Sequence, residues 1–131
     1  MLADKSWETL YSKYPLLFDN RHKSPMESPM AFGVECNLGW YELVSSLCWR
    51  INQHEQNIKD HRKYLENKYP DRLQNEPEYV AVRFDQVKQK FGGLRVYYSG
   101  GDDYVRGAVS MAEDFSYKSC EVCGNSGKPN E

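Results

Sequence analysis

The sequence predicts a single α+β domain, in which a small antiparallel β-hairpin is packed by three helices and followed by an irregular C-terminal tail. Three stretches repeat apolar residues at helical spacing, and one of them is long. Two shorter stretches alternate apolar and polar residues around a Gly-Gly pair, which is typical of a hairpin. The 131 residues fit one domain covering residues 1–131, because a chain of this length can bury a core of its own.

The first helix is predicted by apolar residues at positions i, i+3, i+4 and i+7, which form one face. Asp4 is its expected N-cap, and Pro15 ends it. The next segment, residues 19–30, contains Ser-Pro-Met twice, and prolines so close together favour an extended surface loop. The apolar positions of the first helix are Trp7, Leu10, Tyr11 and Tyr14.

The second helix is the long one, predicted to run from a cap at Asn37 to about Lys68. Its first half is amphipathic, with one apolar stripe. Its second half is highly charged, carries an i,i+4 pair at Glu55 and Lys59, and is expected to project from the core. Residues 71–78 follow as a predicted polar connector.

The hairpin is predicted from residues 80–85 and 94–98, which both alternate with period two, and from a reversal at residues 89–93. A two-stranded sheet is marginal alone, so the helices must cover one of its faces. The third helix should begin at a cap on Asp102 or Asp103. Its predicted buried stripe consists of Val105, Ala108, Val109, Ala112 and Phe115.

Composition narrows the functional class. The formal net charge of −2 and the isoelectric point of about 5.9 show neither a bulk basic signal for nucleic acid nor a strong acidic excess. No apolar run is long enough to span a membrane, and residues 1–9 lack the pattern of a signal peptide. We therefore expect a cytoplasmic protein without membrane contact, whose four cysteines are reduced thiols or metal ligands.

The sharpest local signal for a metal is Cys120-Glu121-Val122-Cys123-Gly124. Two thiolates three residues apart, followed by a glycine that permits a tight turn, can supply half of a tetrahedral Zn²⁺ site. Residues 119–131 are therefore predicted to be a partial zinc-knuckle-like tail with Cys120 and Cys123 as ligands. Three interpretations remain open: zinc with distant or partner-supplied ligands, a metal-free remnant, and a redox pair.

A basic and aromatic cluster on the hairpin is the main candidate binding surface. It could stack nucleic-acid bases or grip acidic groups of a partner, whereas the alternative is an ordinary solvated strand face. The candidate binding residues on the hairpin are Lys88, Lys90, Phe91, Arg95 and Tyr97.

The segment 32–40 is a second candidate for the interface. Its glycines would let two backbone segments approach closely, and Glu35 is placed to pair with Arg95 in a groove. Glu35 and Trp40 are therefore added to the candidate binding residues.

The two histidines of the long helix, His54 and His61, lie two turns apart, too far for both to bind one metal ion. They are therefore interpreted as solvated side chains.

Three segments together resemble a family of uncharacterised small phage and prophage-encoded proteins. They are residues 32–40 with Cys48 shortly after, residues 88–98 with the Lys-Phe-Gly-Gly-Leu-Arg core, and residues 112–124 with the Cys-x-x-Cys-Gly motif. Longer relatives continue to a second thiol and a histidine that complete a zinc ribbon, and this sequence shows only the first half. The resemblance implies a phage setting, in the cytoplasm of the host cell, without an established activity.

These observations favour a non-catalytic phage-type protein over an enzyme. Its expected role is to bind and modulate or inhibit a bacterial host protein, such as a CRISPR-Cas defence component, and a homodimer is compatible with this role. The alternative is a nucleic-acid-binding protein with a zinc knuckle. A metal-dependent nuclease is a third hypothesis, disfavoured because Asp85 and Lys88 would point to opposite faces of a regular strand.

Overall fold

The computed structural model describes residues 5–125, which form helices and one two-stranded sheet. The predicted α+β class is confirmed. The elements in chain order are α1 (Trp7–Lys13), α2 (Tyr41–Lys68), α3 (Pro70–Leu73), β1 (Arg83–Lys90), β2 (Gly93–Ser99) and α4 (Asp103–Ser116). Short 3-10 helices lie between α1 and α2 at Asp19–His22, Pro29–Phe32 and Leu38–Trp40.

Helix α1 begins two residues later than predicted. The hydroxyl of Ser6 caps it by accepting from the Thr9 N–H, so the prediction of Asp4 as the cap is wrong, and Asp4 itself lies outside the described residues. A serine hydroxyl satisfies a free N–H of the first turn as well as a carboxylate does.

The prediction of an extended loop over residues 19–30 is also wrong, although residues 22–27 are exposed at the surface as predicted. This segment forms 3-10 turns and buries Asn20, Ser28 and Met30. Its prolines are compatible with this because Pro29 stands in the first turn of a 3-10 helix, where no N–H is needed. The Asn20 side chain donates to the carbonyl of Phe84 at 3.0 Å, so the segment lies against the edge of β1.

The hairpin turn is tighter than predicted, with only Phe91 and Gly92 between the strands. Both have positive φ, 53° and 79°, which matches the type I′ turn that suits the twist of two antiparallel strands. A bulge at Asp85, between Phe84 and Gln86, interrupts the register. Because the bulge shifts the alternation by one residue, Phe84 and Val87 both face the core.

Both edges of the sheet are covered. At β1, the Glu35 N–H donates to Val87 O at 2.8 Å, and the Phe84 N–H donates to Leu17 O at 2.8 Å. At β2, side chains of α4 accept from the strand: Ser116 from the Leu94 N–H, and Glu113 from the Val96 N–H, both at 2.9 Å. An edge whose N–H groups already have partners offers little for strand addition by another chain.

Helix α2 ends at Lys68 as predicted, but its charged half does not project freely. The carboxylate of Glu55 accepts from the Tyr79 hydroxyl at 2.7 Å and from the Val82 N–H at 2.8 Å. The predicted Glu55–Lys59 pair is replaced by these contacts with the chain that leads into β1.

No helix among the described residues has both the length and the apolar character that crossing a bilayer requires.

The core lies between the inner face of the hairpin, α2 and α4, and the Phe18 and Phe84 rings meet edge to face at 5.2 Å within it. Val105, Val109 and Ala112 of α4 are buried there, as predicted. Phe115 is not, since 55% of its surface is exposed. Its neighbour Ser116 faces β2 instead, where its hydroxyl is needed as an acceptor.

Candidate functional site

The outer face of the hairpin brings the predicted basic and aromatic residues together. Lys88 stands directly opposite Arg95, and Tyr97 is one pair further along the same face. The Lys88 ammonium lies 5.7 Å from the centroid of the Tyr97 ring. Lys90 lies 5.6 Å from the ring of Phe91, which stands at the tip with 86% of its surface exposed. We call these five residues the hairpin face.

Tyr117, at the end of α4, completes this surface and was missed by the sequence interpretation. Its hydroxyl accepts from the Arg95 guanidinium at 2.8 Å, and its ring lies 5.8 Å from the same group. This hydrogen bond is the main reason why the pKa of Arg95 is raised above its ordinary value. Tyr117 thereby holds Arg95 in place as a fixed positive charge.

The predicted pairing of Glu35 with Arg95 is wrong. Glu35 pairs its backbone with β1 beside Lys88, and its carboxylate accepts from the Gln86 amide at 3.3 Å. Glu35 still borders the hairpin face. Across residues 5–125, none of Lys88, Lys90 and Arg95 lies within salt-bridge distance of a carboxylate.

Trp40 is a core residue rather than a binding residue, with 1% of its surface exposed. Its indole N–H donates to the carbonyl of Ser119 at 3.0 Å and fixes the start of the C-terminal tail. The Asn37 N–H donates to the Glu121 carboxylate at 3.0 Å. The segment 37–40 is thus the docking site for residues 119–124, and the predicted close approach of backbones occurs at Gly39, against the Cys120 and Glu121 carbonyl groups.

The pair Cys120 and Cys123 lies in a tight turn that Gly124 completes with a φ of 80°. The pKa of the Cys120 thiol is lowered, first because the backbone N–H of Cys123 donates to its sulfur, and further by the Cys123 side chain and the Val122 N–H. Two thiols in this arrangement fit half of a tetrahedral zinc site. Among residues 5–125, no group of three or more His, Cys, Asp or Glu side chains is arranged to hold a metal ion.

Cys36 is the other thiol near this tail. Its pKa is raised to about 12, mainly by burial and also by the negative charge of Glu121. A thiol with so high a pKa stays protonated at neutral pH and is a poor nucleophile.

We expect the substitution Gly39→Ala to release the tail from the segment 37–40. A methyl group there would overlap the Cys120 and Glu121 carbonyl groups, and backbone cannot yield as a flexible side chain can. The Trp40 indole N–H should then exchange with solvent about tenfold faster in an NMR experiment, the effect of roughly 1.4 kcal/mol.

The matched control is Gly107→Ala, in helix α4, where an added Cβ meets nothing within 4 Å. It should leave the exchange of the Trp40 indole unchanged and stabilise the protein by about 0.5–1 kcal/mol, because glycine is unfavourable in a helix. Unchanged indole protection in the Gly39→Ala protein would show that the tail docks without this contact.

A cleft of about 440 Å³ lies between α2 and the chain before β1. It brings together ionisable groups that the sequence interpretation did not connect. His54 Nε2 lies 2.8 Å from Asp102 Oδ2, and His61 Nε2 lies 3.0 Å from Glu76 Oε1. The His54 ring also stacks on Tyr104 at 4.1 Å. The prediction of solvated histidines is therefore wrong for His54, whose side chain is only 17% exposed.

Asp102 caps α4, as one of the two predicted alternatives, by accepting from the Val105 N–H. Partial burial raises its pKa, but the hydrogen bonds from His54 and the Val105 N–H outweigh this, so that its pKa lies below the ordinary 3.8. A carboxylate with a depressed pKa stabilises the fold above its unfolded pKa, and this contribution disappears as the pH falls through the folded pKa.

We therefore expect the urea midpoint of the wild-type protein to fall as the pH drops from about 5 to 3, and to fall less in the Asp102→Asn variant. Asparagine keeps a capping oxygen but has no charge to lose. Asp103→Asn is the control, because the Asp103 side chain is 92% exposed. Equal acid sensitivity of the wild-type and Asp102→Asn proteins would contradict the expectation.

The bulge at Asp85 breaks the strand alternation, so Asp85 and Lys88 need not point to opposite faces as they would in a regular strand. The Asp85 carboxylate instead accepts from the Asn20 side chain at 3.0 Å.

Comparisons with protein-family models, with curated proteins and with solved structures found no match to this chain.

Proposed function

We propose that this chain is a non-catalytic phage-type protein that binds a bacterial host protein and modulates or inhibits it. A component of a defence system such as CRISPR-Cas fits this role. The proposal depends on one observation: Lys88 and Arg95 face each other directly across the hairpin without a carboxylate partner. Like charges directly opposite each other destabilise a sheet, and an acidic partner surface would remove this repulsion.

The partner surface should be acidic and should include an apolar contact for Phe91. Three cations lie close to aromatic rings on the hairpin face, which combines charge with apolar area. Aromatic and arginine side chains dominate the energy of protein interfaces. The hairpin face is also rigid, because Phe91 and Gly92 form a two-residue turn and Tyr117 holds Arg95.

Zinc bound by Cys120 and Cys123 is part of the proposal, with further ligands supplied by a partner or by a second copy of the chain. A bound zinc ion would supply rigidity to the tail rather than chemistry. Elemental analysis of tag-free protein tests this, and less than about a tenth of an equivalent would exclude a structural site. The proposal places the protein in the cytoplasm of the host, where thiols stay reduced.

A nucleic-acid-binding protein with a zinc knuckle is the second candidate, and one observation favours it. Exposed rings interleaved with cations, as at Lys90 and Phe91, are also what single-stranded nucleic acid binds. Binding of this kind weakens steeply with salt and disappears after nuclease treatment.

The test is an affinity capture from bacterial lysate with tagged protein, with and without nuclease, followed by a measurement of affinity for the captured protein. A stoichiometric host protein that survives nuclease supports the proposal, whereas loss of all partners supports the second candidate. The triple variant Lys90→Ala, Phe91→Ala, Arg95→Ala should weaken binding at least about a hundredfold, since hot-spot residues contribute roughly 2 kcal/mol or more each.

The matched control replaces Lys59, Lys63 and Tyr64 by alanine. These residues are exposed on α2, away from the hairpin, and offer a similar loss of charge and aromatic area. The control should bind like the wild type. If the two triple variants bound with equal affinity, the hairpin face would not be the interface.

A further inference from the structure

An apolar groove runs between α2 and α4 on a different surface from the hairpin face. Its volume is about 320 Å³, and its residues are almost all apolar. Met111 is 72% exposed and Phe115 is 55% exposed, although both lie on the amphipathic helix α4. Large apolar side chains exposed together mark a surface that a partner covers. The apolar lining consists of Leu43, Leu47, Ala108, Met111, Ala112 and Phe115.

Two further depressions adjoin the groove. One shares Ser46 and Arg50 with it and extends to Trp49, and the other shares Met111 and Phe115 with it. The α4 residues of this surface extend from Gly107 to Phe115, about 12 Å at the rise of an α-helix. The whole surface thus has the length of two to three helical turns.

The charges beside this groove are mainly positive. Lys13, Arg50 and Lys118 line the groove and its extensions, against the single carboxylate of Asp114 there. Within residues 5–125, none of these three cations is within salt-bridge distance of a carboxylate. The Arg50 guanidinium lies over the Trp49 ring at 4.8 Å, at the edge of the apolar floor. The whole chain, by contrast, has a net charge of −2.

We propose that this groove docks an amphipathic helix of a partner protein, with apolar residues at i, i+3 or i+4, and i+7 and with carboxylates along its flanks. Both walls of the groove are helices, so their backbone groups are already paired and offer no hydrogen bonds to the backbone of an extended segment. A segment entering an apolar groove of this kind must satisfy its own backbone hydrogen bonds, as a helix does. The carboxylates would meet Arg50 in the groove itself and Lys13 and Lys118 in the adjoining depressions.

The probe is a fluorescein-labelled synthetic peptide of about four turns, with leucines at the helical spacing and glutamates on the flanks. Its binding is followed by fluorescence anisotropy, and the site by chemical shifts of backbone amides. Two matched peptides replace the glutamates by lysines, or one central residue by proline. The acidic helical peptide should bind at least about tenfold more tightly than either.

The variants Met111→Lys and Phe115→Ser should each reduce binding of the acidic peptide at least about tenfold, and Arg50→Glu should reverse the preference between acidic and basic peptides. The hairpin variant Lys90→Ala, Phe91→Ala, Arg95→Ala should bind the acidic peptide normally, which separates this inference from the proposed function. All these positions are exposed except Arg95, which is half-buried, so the variants should fold, and circular dichroism verifies this.

Three outcomes would overturn the inference. The first is the absence of saturable binding of the acidic peptide up to about 1 mM. The second is equal binding of the acidic and basic peptides, because the cations would then have no role. The third is a concentration-dependent dimer in sedimentation that Met111→Lys abolishes, since the occupant would then be a second copy of this chain.

Discussion

Replacing Phe84 by alanine should destabilise the protein by about 3–5 kcal/mol, the largest effect expected of any single substitution discussed for this chain. The Phe84 side chain is fully buried, and its ring packs against Phe18 at 5.2 Å. Its backbone also joins two segments, because its N–H donates to Leu17 and its carbonyl accepts from Asn20. The lost ring leaves a cavity that this network prevents from closing.

Urea denaturation followed by circular dichroism measures this loss. The control is Phe91→Ala, at the tip of the hairpin, where the ring is 86% exposed. Phe91→Ala should change the free energy of unfolding by less than about 0.5 kcal/mol while weakening partner binding. The reverse pattern, a stable Phe84→Ala protein and an unstable Phe91→Ala protein, would refute this account of the hairpin and its core.

Replacing Glu55 by alanine should destabilise the protein by about 3 kcal/mol, because two hydrogen bonds to one carboxylate disappear. The Tyr79 hydroxyl and the Val82 N–H both donate to Glu55, and both of these hydrogen bonds are partly buried. The variant has a second readout. The pKa of Tyr79 is raised well above its ordinary value, first by burial and then by its hydrogen bond to Glu55. Without that carboxylate, the pKa of Tyr79 should fall, which an ultraviolet titration detects.

Glu66→Ala is the matched control for this substitution, because Glu66 is an exposed glutamate on the same helix. Its free energy of unfolding should stay within about 0.5 kcal/mol of the wild type, and the Tyr79 titration should not move. If Glu55→Ala matched Glu66→Ala in both measurements, the contact between α2 and the start of β1 would contribute nothing to stability.

The elements that the sequence predicted correctly are those whose signals are local. Helical spacing of apolar residues predicted α1, α2 and α4, and Asp102 was one of two predicted caps. Alternation and the Gly-Gly pair predicted the hairpin, although β1 begins later and the turn is shorter than predicted. Such signals can be read along the chain because each depends on residues at most a few turns apart.

The errors at the candidate site have the opposite origin. Trp40 was assigned to an interface, yet it is buried and bonds to Ser119, a residue 79 positions away. His54 meets Asp102 across 48 positions, and Tyr117 meets Arg95 across 22. No periodicity reports such contacts, because they arise only when separate elements pack together.

The residue types of the hairpin face were therefore determined by the sequence itself, as was their place on a hairpin. Only the tertiary structure decided that Lys88 and Arg95 stand opposite each other and that Tyr117 holds Arg95. It also decided that Phe115 is exposed in a groove rather than buried in the core. The physical reason is that burial and pairing depend on which neighbouring element covers a residue, and the fold as a whole places that element.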